Sequence, residues 1–288
     1  MKSLMKNQSD LVQIDFLSGD KVMAYTSLLF PYGLRNGVLT HIDDVSRGLA
    51  CECVCPACDA KLVARKGQQR IPHFAHARGD QCSYGLETGL HLAAKEILNE
   101  KREIVLPPVL LRSNCFSKST ELAEEKRYKL DEVTLEKKIG KIIPDVIGYV
   151  QEHPVLIEIC VTHPVDFQKL CRIKDLGYSA IEIDLSNISR NLSRSELEYL
   201  IIEPGNHKKW IHNVFAERKE QSILESGKKF HTVRRGLTRH VDGCPIGARV
   251  WRGKPYANVA HDCIDCKYAL RIEPGLTAVT CSAVSRRS

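Results

Sequence analysis

Two acidic residues in consecutive apolar runs limit how this chain can fold more than any other feature. Asp145 precedes the run 146–150, and Glu158 lies within the run 155–162. If the runs form a hairpin with a two- or four-residue loop, both carboxylates fall on one face of the sheet, whereas a three-residue loop separates them. A carboxylate inside an apolar strand is costly unless a positive charge meets it. The hairpin therefore predicts a cation beside the pair.

Two carboxylates that converge across a hairpin would form an oxygen site suited to Mg²⁺ or Mn²⁺. On the second strand, Ile157 and Ile159 alternate with Glu158 and would face a core on the other side of the sheet. The alternative interpretation is a surface Asp near a turn and an unrelated strand Glu. That arrangement needs no metal.

A helix is predicted before this hairpin. Glu87, His91 and Lys95 follow one another at four-residue intervals, which places them on one stripe of a helix. The apolar residues between Leu90 and Leu98 form the neighbouring stripe and would face the core. The three polar side chains are therefore expected on the same side of the molecule.

A second helix is predicted after the hairpin. It would begin near Asp166, include Lys169 and end near Gly177, and a strand would follow at 179–185. A helical crossover between two strands implies that they pair in parallel. The element order predicts a mixed α/β (α+β) core over residues 84–190, with an acidic site on one face of its sheet.

The twelve cysteines indicate bound zinc rather than disulfides. The first residues lack the apolar segment of a secretion signal, and no run of about eighteen apolar residues is present. We therefore expect a cytoplasmic protein with no membrane segment, in a compartment where thiols stay reduced.

The first cysteine cluster is Cys55-x2-Cys58, followed by His73, His76 and Cys82. Two thiolates brought together by a tight turn are a common half of a tetrahedral zinc site. Five candidates compete for four positions, and the favoured set is Cys55, Cys58, His76 and Cys82, with His73 as the spare. The alternative is an ordinary β-hairpin with incidental thiols.

The second cysteine cluster consists of Cys244, the pair Cys263-x2-Cys266, and Cys281. The surrounding segment is too short to bury a core unaided, so a bound zinc ion would supply folding free energy. His261 could replace one of the four ligands. The spacing predicts a zinc ribbon.

The C-terminal part of the chain is basic. Residues 206–288 hold sixteen Lys and Arg against seven Asp and Glu, in a chain whose net charge is +7. Arg234 and Arg235 lie in the densest part. Excess positive charge favours a polyanion through phosphate neutralisation, although charge runs are commonly just solvated surface. We expect nucleic acid, and DNA first, as the partner. A homodimer or a protein partner is also compatible with the sequence.

Several motifs in order along the chain resemble one known family. They are Cys55-Pro56-Ala57-Cys58, His73-Phe74-Ala75-His76, Glu87-x3-His91-x3-Lys95, Pro144-Asp145-Val146 and the Glu158 strand that runs into Thr162-His163. Together they resemble the PD-(D/E)xK nuclease fold, and within it the competence-protein CoiA-like branch, over about residues 50–190. The resemblance implies a restriction-endonuclease-like core, metal binding by Asp145 and Glu158, Glu87 as a third acid, and cutting or processing of DNA.

One position departs from the family pattern. The motif has a Lys two residues after the Glu, where it stabilises the attacking water or the charge developing on the phosphate. Cys160 occupies that position here. The basic role can move to a nearby helix in this fold, and Lys169 is the first candidate. His163 and Lys95 are alternates, although His163 could face the core and Lys95 could simply be solvated.

Four regions follow from these patterns. A capping box at Ser193 and Glu196 begins a short helix, and a longer helix is predicted from about His207 to Ser226. Two further strands, at 11–17 and 21–25, would form an N-terminal hairpin. The predicted regions are an N-terminal β module with the first zinc cluster (1–83), a PD-(D/E)xK nuclease-like core (84–190), a helical basic linker (191–239) and a C-terminal zinc ribbon (240–288).

Two functions are compatible with the sequence. The first is a metal-dependent nuclease, with catalytic Mg²⁺ or Mn²⁺ and two structural zinc ions, that acts in DNA uptake, processing or defence. The second is a catalytically inactive, zinc-stabilised nucleic-acid-binding accessory protein, which Cys160 favours. A zinc-held protein-interaction scaffold would need neither activity. The side chains expected to contact the substrate are His91, Lys95, Arg234 and Arg235.

Overall fold

The computed structural model describes residues 30–79, 82, 84–112, 119–189 and 192–283. The fold is mixed α+β, with many strands and few helices, as the sequence predicts. The strands predicted at 11–17 and 21–25 lie outside the described residues. No helix in the described ranges combines the length and the apolar character needed to cross a membrane.

The N-terminal module consists of two small antiparallel sheets joined by short helical turns. One sheet has the order β2-β1-β3 and the other pairs β4 with β5. A bridge between Phe30 and Phe74 connects the segment before β1 to β5. The strands are β1 (Tyr32–Arg35), β2 (Val38–His41), β3 (Cys53–Val54), β4 (Leu62–Arg65) and β5 (His73–His76).

The centre of the molecule is a five-stranded sheet of order β10-β11-β12-β13-β14. Its one parallel pair is β12 with β13, joined through helix α2, as a helical crossover requires. The hairpins β6–β9 and β7–β8 precede it. The elements of this region are α1 (Gly85–Lys101), β6 (Glu103–Leu106), β7 (Val109–Arg112), β8 (Ser119–Ala123), β9 (Lys126–Lys129), β10 (Glu132–Leu135), β11 (Val146–Val150), β12 (His153–Cys160), α2 (Phe167–Asp175), β13 (Ser179–Asp184), α3 (Arg194–Ile202) and β14 (Lys208–His212).

The predicted hairpin is β11–β12, and its loop has two residues. Gln151 and Glu152 have φ angles of 47° and 67°, the left-handed conformation that type I′ turns require and that matches the twist of the strands. Val146 pairs with Ile157. One step further along this register, Asp145 stands opposite Glu158, so the two carboxylates do share one side.

The helix predicted from about His207 to Ser226 is wrong in its first part. Residues Lys208–His212 form β14, which pairs antiparallel with β13, and helix α4 (Val214–Glu225) begins only after Asn213. The side chain of Asn213 accepts a hydrogen bond from the Ala216 N–H (2.9 Å) and caps that helix. The exposed backbone edge of β13 needs hydrogen-bond partners, and this tertiary demand overrides the local helical pattern.

The central sheet separates two apolar cores. On one side, Ile157 and Ile159 join a cluster that includes α1, α3 and the N-terminal module without interruption, from Phe30 to Ile202. On the other side, Leu156 packs with Ile173 of α2. Because alternate residues of β12 point to opposite sides, Glu158 and Cys160 lie on the α2 side.

The C-terminal region is a separate six-stranded antiparallel sheet of order β17-β18-β16-β15-β20-β19. Its core is small and contains two of the cysteines, Cys244 and Cys263. The strands are β15 (Lys228–Arg235), β16 (Thr238–Asp242), β17 (Arg249–Trp251), β18 (Lys254–Asn258), β19 (Ala269–Ile272) and β20 (Ala278–Cys281).

Candidate active site and metal cluster

Asp145 is fixed at the open end of the hairpin by two neighbours, Ile159 and His91. Its Oδ2 accepts a hydrogen bond from the Ile159 N–H (2.8 Å) and lies 3.5 Å from Nε2 of His91. The same His91 nitrogen donates to the Ile159 carbonyl (2.6 Å). Helix α1 therefore reaches the acidic pair through His91.

Glu158 is buried beside Asp145, with 2% of its surface exposed. Its Oε2 lies 2.7 Å from Nζ of Lys169, whereas Oε1 is buried and has no hydrogen-bond partner of good geometry among the described residues. Burial raises the pKa of Glu158 to about 7; Lys169 opposes this shift and Asp145 adds to it. Glu158 is thus an acid that titrates near neutral pH and has one oxygen with no hydrogen-bond partner.

These groups line a cleft of about 210 Å³ where β12 ends and α2 begins. His163 is exposed at this cleft, so the alternative in which it faces the core is wrong. Lys169 belongs to the first turn of α2, whose cap is Asp166. The cleft is lined by His91, Asp145, Glu158, Cys160, His163, Lys169, Glu182 and their neighbours.

Cys160 occupies the position of the family's Lys, on the same sheet face as Glu158. It is 3% exposed and stands in register with Asp184 on β13. Burial, followed by the charges of Asp184 and Glu182, raises the pKa of the Cys160 thiol to about 11. The side chain is therefore a neutral thiol at physiological pH and cannot supply the missing positive charge.

A second carboxylate–lysine pair, not anticipated from the sequence, adjoins the first. Glu182 on β13 stands in register with Glu158 and is 1% exposed. Its Oε1 lies 2.8 Å from Nζ of Lys209, and its Oε2 accepts from the Val165 N–H (2.7 Å). The Oε1 atom has no hydrogen-bond partner of good geometry among the described residues, but the nearby carboxylate raises the pKa of Lys209. The sequence predicts the strand that carries Glu182. It does not place Lys209 beside this strand, because the residues around Lys209 are wrongly predicted to be helical.

Two residues of the α1 stripe, Glu87 and Lys95, do not line the cleft. Glu87 accepts a hydrogen bond from the Thr162 hydroxyl (2.7 Å) and is not among the residues that line the cleft. Lys95 is buried rather than solvated, and its Nζ lies 2.5 Å from Oε1 of Glu136, whose pKa this contact lowers. Lys95 therefore ties α1 to the segment after β10.

The first cysteine cluster is assembled. The ligand atoms of Cys55, Cys58, His76 and Cys82 all lie within 4.8 Å of one another. A tetrahedral zinc site with bonds of about 2.3 Å to sulfur brings its ligands into this range. His73 lies outside this set of ligand atoms, and its Nδ1 donates to the Ile71 carbonyl (2.7 Å). The Cys3His cluster could therefore bind one zinc ion, with the ligand set that the sequence favours.

The cluster is closely packed against the start of α1. A Cβ atom on Gly85 would lie 3.2 Å from the Cys55 sulfur, and one on Gly89 would lie 3.3 Å from Cβ of Tyr32. Burial raises the pKa of the Cys55 thiol to about 12, and the backbone N–H groups of Ala57 and Cys58 oppose this. The glycines allow the helix that carries His91 to approach the metal ligands.

The second cysteine set is more open. The thiol of Cys263 lies near those of Cys244, Cys266 and Cys281. Burial is the main reason that the pKa of Cys263 is raised to about 12, and these neighbouring thiols contribute less. Among the described residues, only the N-terminal set places three or more potential ligand atoms within 4.8 Å of one another. Every cysteine in the described ranges is a free thiol.

The two predicted substrate-contacting arginines lie on opposite faces of β15. Arg235 forms a two-point contact with Asp242, at 2.7 and 2.8 Å. Arg234 donates from Nε to the Gly236 carbonyl (3.3 Å) and is exposed. Both lie in the C-terminal sheet rather than at the cleft beside Glu158.

Comparison with known proteins gives a family match over one short part of the chain. Residues 45–85 match the family model described as the N-terminal domain of competence protein CoiA. The match supports the predicted resemblance to the CoiA-like family and covers the Cys3His cluster with the strands around it. No curated protein and no solved structure matches the chain significantly.

Proposed function

We propose that this chain is a metal-dependent nuclease of the PD-(D/E)xK type that hydrolyses phosphodiester bonds, DNA being the first substrate to test. The match to a CoiA domain supports a competence-related role, and DNA uptake, processing and defence are the settings considered. One observation carries the proposal: Asp145 and Glu158 meet across a hairpin, and a buried oxygen of Glu158 lacks a partner.

The arrangement around the hairpin supports the assignment of the fold. Helix α1 precedes the sheet, β10 to β12 run antiparallel, α2 crosses over, and β13 returns parallel to β12. The acidic pair lies where α1 and α2 both reach β12. This is the element order that the family resemblance implies for a PD-(D/E)xK core.

The residues present fit a divalent cation. Asp145 and Glu158 offer carboxylate oxygens, which Mg²⁺ and Mn²⁺ prefer, and Glu182 adds a third carboxylate in register. When bound, such an ion would offset charge on the scissile phosphate and make a water molecule more acidic. A bound cation best explains why one buried oxygen of Glu158 has no hydrogen-bond partner.

The chain's own side chains supply the remaining chemistry. His91 holds Asp145 in place through the contacts described above. Lys169 presents an ammonium group at the cleft, 2.7 Å from Glu158, where it can stabilise negative charge that develops on a phosphate. Lys209 provides a second cation on the same face, beside Glu182. Lys169 thus takes the role that Cys160 cannot fill.

The zinc sites are proposed to be structural. The N-terminal Cys3His cluster would hold one ion, and the four cysteines of the C-terminal sheet, Cys244, Cys263, Cys266 and Cys281, would hold a second. The small apolar core of that sheet is the reason to expect an additional source of folding free energy there.

A second candidate function is an inactive, nucleic-acid-binding accessory protein. The observation that favours it is the neutral, buried thiol of Cys160 at the Lys position. In this case the acidic pair would be a remnant, held in place by Lys169. The two functions differ in whether added metal produces cleavage.

The test is cleavage of labelled single- and double-stranded DNA by zinc-loaded protein with added Mg²⁺ or Mn²⁺. Asp145→Asn and Glu158→Gln keep the shape of the side chains and should each lower the rate at least about 100-fold, since metal binding is lost. Glu152→Gln, at the exposed turn of the same hairpin, is the matched control and should cleave normally. Equal cleavage by all four proteins would overturn the mechanism, and binding without cleavage by the parent would favour the accessory protein.

A further inference from the structure

The face formed by β15 to β18 carries aromatic and basic side chains around a cleft of about 730 Å³. Tyr256 pairs with Asp242 on one side and with Arg249 on the other, and Trp251 pairs with Lys254. Residues directly opposite each other, and those two apart on a strand, share a sheet face. One face of the C-terminal sheet therefore presents these side chains together.

Flat rings are available on this face. Trp251 is 60% exposed, and the Arg252 guanidinium carbon lies 4.7 Å from the centre of its ring. The rings of Tyr256 and His240 lie 5.6 Å apart. A large indole left open to solvent beside a cleft is the feature that proteins use to stack planar ligands.

The charge of the cleft favours an anionic ligand. Asp242 is the one acid among the residues that line it, and both of its oxygens accept hydrogen bonds from Arg235. Lys254 adds a positive charge to the same wall, and the whole segment 206–288 has sixteen Lys and Arg against seven Asp and Glu. The expected ligand is thus a polyanion that also carries flat, stackable groups.

We infer that this cleft binds single-stranded nucleic acid, with a base stacked on Trp251 and the phosphates near Lys254. Unpaired bases expose the ring faces that stacking requires, whereas the bases of a duplex are already stacked. An acidic peptide would match the positive charge of the cleft, but its carboxylates would not stack on the indole of Trp251. The inference deepens the proposed nuclease function, on which it rests for the class of substrate.

Tryptophan fluorescence tests the inference directly. The chain has two Trp, and Trp210 lies in the central sheet with its indole N–H bonded to the Pro107 carbonyl (2.9 Å). In a Trp210→Phe variant, Trp251 is the only indole. Addition of an oligothymidylate of about twelve residues, without Mg²⁺ or Mn²⁺, should quench the fluorescence of Trp251. A DNA duplex of the same length should quench it less. No quenching at low salt would overturn the inference.

Two controls separate stacking from charge. Measured by the fluorescence anisotropy of a labelled oligothymidylate, binding by Trp251→Ala should be weaker by about 5- to 150-fold, whereas Trp251→Phe should keep most of it. Val250→Ala changes the neighbouring side chain on the other face and should bind as the parent does. Equal quenching by inorganic polyphosphate, or undiminished binding by Trp251→Ala, would mean that no base stacks there and would overturn the inference. Circular dichroism and zinc content verify that each variant is folded.

The failure of this inference is distinguishable from failure of the proposed function. Glu152→Gln, at the exposed turn of the β11–β12 hairpin, should bind oligothymidylate as tightly as the parent. Quenching of Trp251 without cleavage would uphold the binding site and overturn the nuclease. Asp145-dependent cleavage of single strands without quenching would uphold the nuclease and overturn the stacking site.

Discussion

Glu158 is the single residue whose surroundings are most unusual. It is an acid in an apolar strand with Lys169 at one oxygen and no hydrogen bond at the other. A stability-driven design would place an apolar side chain here, because a buried ion pair rarely repays its desolvation. The retention of such a group is typical of a site that serves chemistry rather than folding.

Glu158→Gln is predicted to change the pH dependence of stability. Burial raises the pKa of Glu158 from 4.5 to about 7, so its favourable contribution is complete below pH 4.5 and is lost as the pH rises through 7. Gln does not ionise. The free energy of unfolding of the variant should therefore gain on that of the parent by on the order of 2–3 kcal/mol between pH 4.5 and 8.

Urea unfolding at several pH values, without added Mg²⁺ or Mn²⁺, measures this difference. The exposed Glu152→Gln is the control and should follow the parent at each pH. Because the cysteine and histidine ligands proposed for zinc are the same in all three proteins, effects of acid on zinc cancel in the comparison. A constant difference between Glu158→Gln and the parent across this range would show that Glu158 titrates normally.

At the scale of elements, structure that depends on adjacent residues can be predicted from the sequence, whereas structure that depends on a distant strand cannot. The β11–β12 hairpin can be predicted because its two strands and its turn are adjacent in sequence. The register of a short hairpin also predicts that Asp145 and Glu158 lie close together. Lys209 could not be placed in this way. Residues Lys208–His212 form a strand only because β13 offers an unpaired edge. Nothing in their own sequence indicates that β13 is their partner.

The cross-strand pair of Glu182 and Lys209 is predicted to couple β13 to β14. Lys209→Met leaves a buried carboxylate without its cation and should lower the free energy of unfolding by about 1–3 kcal/mol, less than for a fully buried pair because Lys209 is half exposed. Glu182→Gln added to Lys209→Met should restore most of the loss. Urea unfolding of the parent, both single variants and the double variant gives the coupling energy, and additive effects would show that the pair is not coupled.

For the whole molecule, the N-terminal cluster and the cleft are connected through α1. The helix begins against Cys55 and presents His91 to Asp145. The sequence indicated the ligands of this cluster, because their spacing is local and zinc restricts the ligand types. It did not indicate that the module shares its core with the central sheet, since no periodic pattern specifies which apolar surfaces meet.

Zinc stoichiometry is predicted to separate the two cysteine clusters. The parent should hold two zinc ions per chain; Cys58→Ser and Cys266→Ser should each lose one, because each removes a ligand. Cys171→Ser, a change on α2 outside both clusters, is the control and should lose none. Release into a chromogenic chelator measures the content. Cys266→Ser with the zinc content of the parent would show that the C-terminal sheet holds no ion.

The shared core also bears on how such a protein can be assembled in evolution. One apolar interior extends from Phe30 to Ile202, whereas the C-terminal sheet has an interior of its own. Between them lies α4, with no buried residue. A gene rearrangement near Ser226 would transfer the C-terminal sheet as a cassette and leave both interiors covered. A rearrangement near residue 83 would remove the apolar residues that cover α1, so the N-terminal module is expected to be inherited together with the central sheet.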